Sequence, residues 1–246
     1  MKKLPFNCND KWTASQPLEL IHSDVGGPIE PTTHDGYCFW ITFIDDHTCY
    51  PWIFFLKKKS DAFSTFRTWK KHIEAFMDNT ISELRFSDNW IRFLWSDGGE
   101  EYNSDEFCDY ICNNGIVHKT TAANTAKSNG LAECMNQMIV FHAVSMLIDS
   151  KLPKSFWGEA FHTATYLIAW SPAAGLKGKT QYKVLTGRRV DPTFFWPFGC
   201  IEFALVDKYH HKKLDSRAHK GIMLGYEYGK KAYKLLDVSA CKIFSS

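Results

Sequence analysis

The sequence predicts an α/β fold, a sheet with helices against its faces, followed by a small β module. Three observations carry that expectation. Residues 17–56 read as a strand and a hairpin, residues 60–168 alternate between helical and strand patterns, and beyond about residue 176 short strand-like runs are separated by polar or glycine-containing segments. The chain has 246 residues, 45% of them hydrophobic and 15% aromatic, enough for one sizeable core or two domains.

Pro-Leu-Glu-Leu-Ile-His-Ser-Asp at 17–24 alternates as a strand that ends at Asp24, before the breaker Gly26-Gly27-Pro28. The aromatic and β-branched runs 37–44 and 50–56 form a hairpin, with Asp45-Asp46-His47-Thr48 as its turn. From Ser60, the expected N-cap, Phe63, Phe66, Trp69, Ile73 and Phe76 recur at helical spacing to about Met77, an aromatic stripe that belongs to the core. Residues 79–90 carry no periodicity. A short apolar strand over 91–96 then ends at Asp97.

Ser104 is placed to cap a helix through Asn113 that buries Phe107 and Ile111, and Gly115 is its natural stop. Residues 116–120 make another short strand, and the polar stretch 121–129 leads into a long helix over 130–148. A further helix covers 155–168. In the last third, strands are expected over 200–206, 221–226 and 231–238, around a separate core of Phe198, Phe203, Leu224, Tyr226 and Leu236. The division is residues 1–16 as a linker, 17–175 as the α/β domain, and 176–246 as a linker and β module.

The net charge of +2 conceals an uneven distribution. Residues 1–150 carry 13 Lys and Arg against 20 Asp and Glu, and residues 151–246 carry 16 against 7. An acidic half holds cations and a basic half neutralises phosphates, the division expected of an enzyme acting on nucleic acid. A basic tail that only aids solubility gives the same count. The eight cysteines form no C-x-x-C pair and support neither a disulfide framework nor a zinc finger. No uninterrupted apolar run approaches a membrane span, and Met-Lys-Lys-Leu-Pro-Phe-Asn-Cys lacks the apolar core of a signal peptide, so an intracellular protein without membrane contact is expected.

Three acidic residues stand out against this background. Asp24 ends the first strand, Asp97 follows a later one in Leu-Trp-Ser-Asp-Gly-Gly, and Glu133 lies in the first turn of the long helix in Asn-Gly-Leu-Ala-Glu. Acids at strand ends and a helix start are able to converge in the crevice where α/β sheets bind ligands. Taken singly, each position is equally explained by capping and by the helix dipole.

The local contexts decide between these explanations. Pro17 to Val25, Thr42-Phe-Ile-Asp-Asp46, Ser96-Asp-Gly-Gly-Glu-Glu-Tyr102, Asn129-Gly-Leu-Ala-Glu133, Leu152 to Ala160 and Leu176-Lys-Gly-Lys-Thr180 resemble, in order, segments of the integrase catalytic core of copia-type long-terminal-repeat retrotransposons. That core is an RNase H-like member of the DDE polynucleotidyl transferases. Phe198-Gly-Cys200, Lys213-Leu-Asp215 and Lys220 to Tyr226 are similar to the SH3-like module that follows it.

The resemblance implies an RNase H-like mixed sheet, with Asp24, Asp97 and Glu133 as catalytic residues and as ligands of two Mg²⁺ or Mn²⁺ ions. It implies 3′-end processing and DNA strand transfer, with element ends and target DNA as partners, a homo-oligomeric active form and action in the nucleus. Asn129 and Gly130 would hinge a loop into the catalytic helix, and Lys119, His118, Lys127 and Asn136 would join them at the nucleic acid. Gly98 is a further residue that would shape the site.

Some departures from the family pattern bear on DNA. Where the family's catalytic helix continues Glu-Arg-Lys-Asn-Arg-Thr, this chain reads Glu133-Cys-Met-Asn-Gln-Met138, so three basic positions are neutral. Thr121 to Ser128 replaces a loop with prolines and paired glutamines, Ala169-Trp170 replaces Asn-Arg, and residues 79–90 lengthen the gap between the first two acids. The family's N-terminal Cys/His zinc domain and downstream reverse transcriptase are not found in the sequence. These departures carry a second reading, an integrase-derived nucleic-acid or protein-binding module without catalysis.

Overall fold

The computed structural model describes residues 13–80, 90–120, 129–205, 217–227, 230–238, 240 and 242–246. Its first sheet has five strands: β1 (Leu20–Gly26), β2 (Phe39–Asp45), β3 (Pro51–Leu56), β4 (Phe93–Ser96) and β5 (Val117–Thr120), in the order β3-β2-β1-β4-β5. β3 pairs antiparallel with β2 and β2 antiparallel with β1, whereas β1-β4 and β4-β5 are parallel. Parallel neighbours need crossovers. α1 (Ala62–Thr80) and α2 (Asp105–Asn113) lie in those two crossovers.

Alternation along β2 shows why the sheet has helices on both faces. Ile41 and Phe43 point to one side, where Phe43 stacks on Trp69 with ring centroids 4.3 Å apart and Phe66, Ile73 and Phe107 close the layer. Trp40 and Ile44 point to the other side, against α3 (Gly130–Ser150) and α4 (Trp157–Trp170), through Ala132, Met135, Ile139, Ala160 and Phe161. The expected order of strands and helices is thus present, and the α/β class holds.

Several boundaries move for identifiable reasons. β1 runs two residues past Asp24 because its pairing with β2 continues to Gly26 opposite Trp40. Ser60 does not cap α1; a short 3₁₀ turn at Lys59–Asp61 precedes the helix, and the Asp61 carboxylate accepts the Lys58 backbone N–H at 3.0 Å. The buried stripe of α1 ends at Met77, while Phe76 is exposed. α2 is capped as expected, Ser104 Oγ accepting from Phe107 N, and Gly115 ends it at a φ of 63°. Asp45 is wholly buried, and the turn it anchors is built on its side chain, which accepts from Leu18 N, Thr48 N and Thr48 Oγ1.

α3 has the length and mean hydropathy, 1.4, of a membrane-crossing helix. No uninterrupted apolar run exists because Glu133, Asn136, Gln137, His142 and Ser145 punctuate it. In this fold Ala132, Met135, Ile139 and Ala143 are its buried side, while Met138, Phe141, Val144 and Ile148 remain exposed.

The second sheet has four antiparallel strands, β6 (Ile201–Leu205), β7 (Ala218–Tyr226), β8 (Tyr233–Asp237) and β9 (Lys242–Ser245), in sequence order. Its separate core is only partly as expected. Tyr226 is buried with Ala204, Met223 and Leu235, but Phe203 is exposed, and Phe198 and Leu224 are buried in the cluster that includes α3 and α4. Thr163 Oγ1 on α4 donates to the Leu224 carbonyl at 2.8 Å, and a Cβ at Gly225 would lie 2.5 Å from that hydroxyl. Strand β9 and the short helix α5 (Gln181–Thr186) have no counterpart in the sequence reading.

Because Leu224 fills the core of the larger layer, Leu224→Ala is expected to cost about 2–5 kcal/mol of global stability. Urea unfolding followed by tryptophan fluorescence checks this. A shift of the whole transition is expected, and an unshifted main transition beside a weakened minor one would mean that the β module is independent.

Candidate active site

The three predicted acids lie on β1, just after β4 and in the first turn of α3. Asp24 lies within β1, two residues from its end, and is half-buried. Asp97 follows β4, the parallel neighbour of β1, and is exposed, with Oδ1 accepting from Gly99 N at 3.0 Å. Glu133 sits in the first turn of α3, also exposed, where the helix dipole favours a negative charge.

Burial raises the pKa of Asp24, a hydrogen bond from Asn136 opposes that rise, and the negative charges of Asp97 and Glu133 add to it. The three acids, far apart in sequence, therefore share one electrostatic environment. Among the described residues no three His, Cys, Asp or Glu side chains stand close enough to enclose a metal ion. The donor set is all oxygen, two of its members are solvent-exposed, and a divalent cation relieves the repulsion felt at Asp24. The residues fit such an ion in the chemistry of their donor atoms.

Tight packing surrounds the acids. Tyr102 is wholly buried, and its hydroxyl bonds Ser23 Oγ at 2.6 Å; burial, offset by that bond, leaves the phenol pKa well above its ordinary value. Gly98, at a φ of 77°, turns the chain after Asp97, and its N–H donates to Ser96 Oγ at 3.3 Å. Ser96 Oγ in turn bonds His118 Nε2 at 2.9 Å. Burial lowers the His118 pKa, keeping the ring neutral at pH 7. His118 thus supports the turn that carries Asp97.

The remaining predicted contacts divide by position. Asn129 is buried, its Nδ2 donating to the Ser23 carbonyl at 3.0 Å, so it ties the start of α3 to β1. Gly130 faces open space, with nothing within 4 Å of where a Cβ would stand. Lys119 lies with its ammonium 4.5 Å from the centroid of the Phe93 ring. Lys127 lies outside the described residues. Asn136 is the correction: it is buried and faces inward, Nδ2 donating to Asp24 Oδ2 at 2.8 Å while Oδ1 accepts from Thr42 Oγ1 and Trp40 Nε1. Its place three residues after Glu133 turns it toward the sheet rather than toward a ligand in solvent. Sequence reasoning also missed Trp40, Thr42, Ser23 and Tyr102; the last three lie inside the matched segments, and Trp40 was signalled only by its place in the strand-like run 37–44.

A mixed sheet in the order 3-2-1-4-5 with helices on both faces is the RNase H-like fold of integrase cores. The fold matches a chain of a cryo-EM structure titled as the simian T-cell lymphotropic virus intasome in complex with PP2A regulatory subunit B56 gamma, with a TM-score of 0.56 and 18% identity, covering 95% of this chain and 77% of that one. Residues 200–246 match the model of the retroviral polymerase SH3-like domain. Over 229 residues, 93% of its length, the chain is 38% identical to the retrovirus-related Pol polyprotein from transposon TNT 1-94 of Nicotiana tabacum. It is 31% identical over 247 aligned positions, 99% of its length, to that from transposon RE1 of Arabidopsis thaliana. The chain is an integrase-like region of the retrotransposon Pol class, and it spans 16% of the length of each of these polyproteins.

Proposed function

We propose that the chain is the catalytic core and SH3-like module of a copia-type retrotransposon integrase, divided near residue 175, and that it performs 3′-end processing and DNA strand transfer. The observation that supports this most directly is topological: Asp24 lies on β1, Asp97 directly follows its parallel neighbour β4, and Glu133 is in the first turn of α3. Asp24, Asp97 and Glu133 would hold two Mg²⁺ or Mn²⁺ ions, which supply activation of the attacking oxygen and stabilisation of the leaving oxygen at a phosphodiester. The chain's own task is positioning. The Ser23–Tyr102 and Asn129–Ser23 bonds would hold the backbone of β1 beside Asp24, and the Ser96–His118 pair the turn that carries Asp97. Element ends and target DNA are its partners, a homo-oligomer its active form, and the nucleus its place of action.

Strand transfer with short blunt-ended DNA and Mg²⁺ or Mn²⁺, beside an Asp97→Asn control, tests the reading. Product that the control abolishes is expected. The neutral, exposed Cys134 and Gln137 on α3 favour a second reading, a binding module without catalysis. DNA retention with no metal-dependent product in either protein would establish that reading and overturn the first.

A further inference from the structure

We infer that Lys57 and Lys58, in the run Lys57-Lys58-Lys59 that follows β3, bind backbone phosphates of DNA lying across the three acids; this rests on the proposed reading of DNA as the partner of that site. The sheet register places the run. Asp24 pairs with Thr42 and Gly26 with Trp40, so β1 ends beside the start of β2, and Phe39 at that start pairs with Leu56, the last residue of β3. β4 runs parallel to β1 and ends at Ser96. Lys57 and Asp97 therefore leave the sheet at the same end, the one toward which Asp24 lies. β3 is two places from β1 in the sheet, and strands are about 4.8 Å apart, so the run begins roughly 10 Å to the side of the strand that carries Asp24.

The surroundings of the run leave two cations available to an anion. All three lysines are exposed. Lys59 Nζ stands 3.9 Å from Oε1 of Glu101, a nearly buried carboxylate in the turn after Asp97, so this lysine is engaged and ties the run to the segment that carries Asp97. Lys57 Nζ lies 5.6 Å from the centroid of the Tyr37 ring, a contact that steadies the ammonium without cancelling its charge. Asp61 accepts the backbone N–H of Lys58, and among the described residues neither the Lys57 nor the Lys58 ammonium has a carboxylate partner. On α3, by contrast, the exposed Cys134 and Gln137 next to Glu133 are neutral. Three acids repel a polyanion, and the β3 side of the site supplies counter-charge that α3 lacks. An ammonium is a point charge, so these contacts hold the DNA backbone without reading its sequence.

Anisotropy titrations of labelled duplex DNA with the full chain, without divalent metal and at several salt concentrations, put this to the test. Lys57→Gln with Lys58→Gln is expected to flatten the dependence of log K on log salt by about two units, close to 0.9 per lost phosphate contact, and to do so equally for duplexes of unrelated sequence. The affinity advantage of wild type over this variant then shrinks about tenfold between 50 and 200 mM salt. Lys151→Gln with Lys154→Gln removes the same charge beyond the other end of α3, roughly 27 Å along the helix from Glu133, and is expected to leave the slope unchanged. If the Lys57 and Lys58 variant keeps the wild-type slope, or if both double variants lower it equally, the run is an ordinary solvated strand end and the inference is overturned. A wild-type chain that does not bind duplex overturns it too. If the slope falls as expected while strand-transfer reactions with wild type give no metal-dependent product, the phosphate contact stands and the catalytic reading alone fails.

Discussion

Millimolar Mn²⁺ is expected to raise the melting temperature of the wild-type chain by roughly 5–10 °C when present at about 100 times its dissociation constant. The figure follows from linkage, about 2.7 kcal/mol at that ratio, and from roughly 2–4 °C per kcal/mol for a chain of this size. Asp24→Asn should behave in the opposite way on both counts: a higher melting temperature without metal, and no response to Mn²⁺. The first effect comes from the electrostatics of the site. Burial, and then the charges of Asp97 and Glu133 against the opposing Asn136 bond, hold the folded-state pKa of Asp24 above its ordinary value of 3.8. The folded chain therefore binds this proton more tightly than the unfolded chain. The stability associated with it is full in acid, is lost as pH rises from the ordinary value through the raised one, and stays lost at neutral pH. An asparagine carries no such charge. A metal-free variant no more stable than wild type at pH 7 would contradict the crowding of charge around Asp24, and an unchanged Mn²⁺ response would remove Asp24 from the site.

The pattern of apolar residues was a good guide to most elements because each buries one face against a partner. β2 alternates between two helix layers, and α1 carries a continuous stripe, so both follow from spacing alone. The caps divided. Ser104 is followed by an acidic first turn and caps α2, whereas Ser60 lies inside a 3₁₀ turn whose Asp61 carboxylate reaches back to Lys58 N. The β module was the least legible part. Its strands are four to nine residues long, and the burial of Phe198 and Leu224 depends on α4, a surface that no local pattern in residues 198–236 encodes.

The site shows the same distinction. Asp24, Asp97 and Glu133 were readable because their segments match a family, and the coupling at Asp24 supports their grouping. The direction in which Asn136 points was not readable. A polar side chain three residues after Glu133 suits an outward contact and an inward one equally until the position of β2 is known. Met135 poses the same problem. As one of three neutral residues at expected basic positions, it suggested a missing grip on phosphate, yet it is buried against the sheet and does not face solvent. Of those three, Cys134 and Gln137 lie on the exposed side of α3.

That difference makes the second prediction specific. Cys134→Arg with Gln137→Arg is expected to tighten binding to duplex DNA and to steepen the dependence of log K on log salt by about two units, close to 0.9 for each additional phosphate that is neutralised. Between 50 and 200 mM salt, the affinity advantage of the double variant should then shrink by about tenfold. Titrating labelled duplex by fluorescence anisotropy at several salt concentrations measures both quantities. Met135→Lys, made to complete the family pattern, should do neither. It places an ammonium among Ile44, Ala132, Ile139 and Ala164 without a carboxylate partner in that cluster, and a loss of several kcal/mol in stability is expected. If the Met135→Lys chain stays folded and its salt slope rises with the others, α3 presents a different face to DNA from the one its burial defines. If the double variant gains no affinity, the neutral residues at 134 and 137 do not account for any weakness in DNA binding. The contact surface must then be sought away from the helix that carries Glu133.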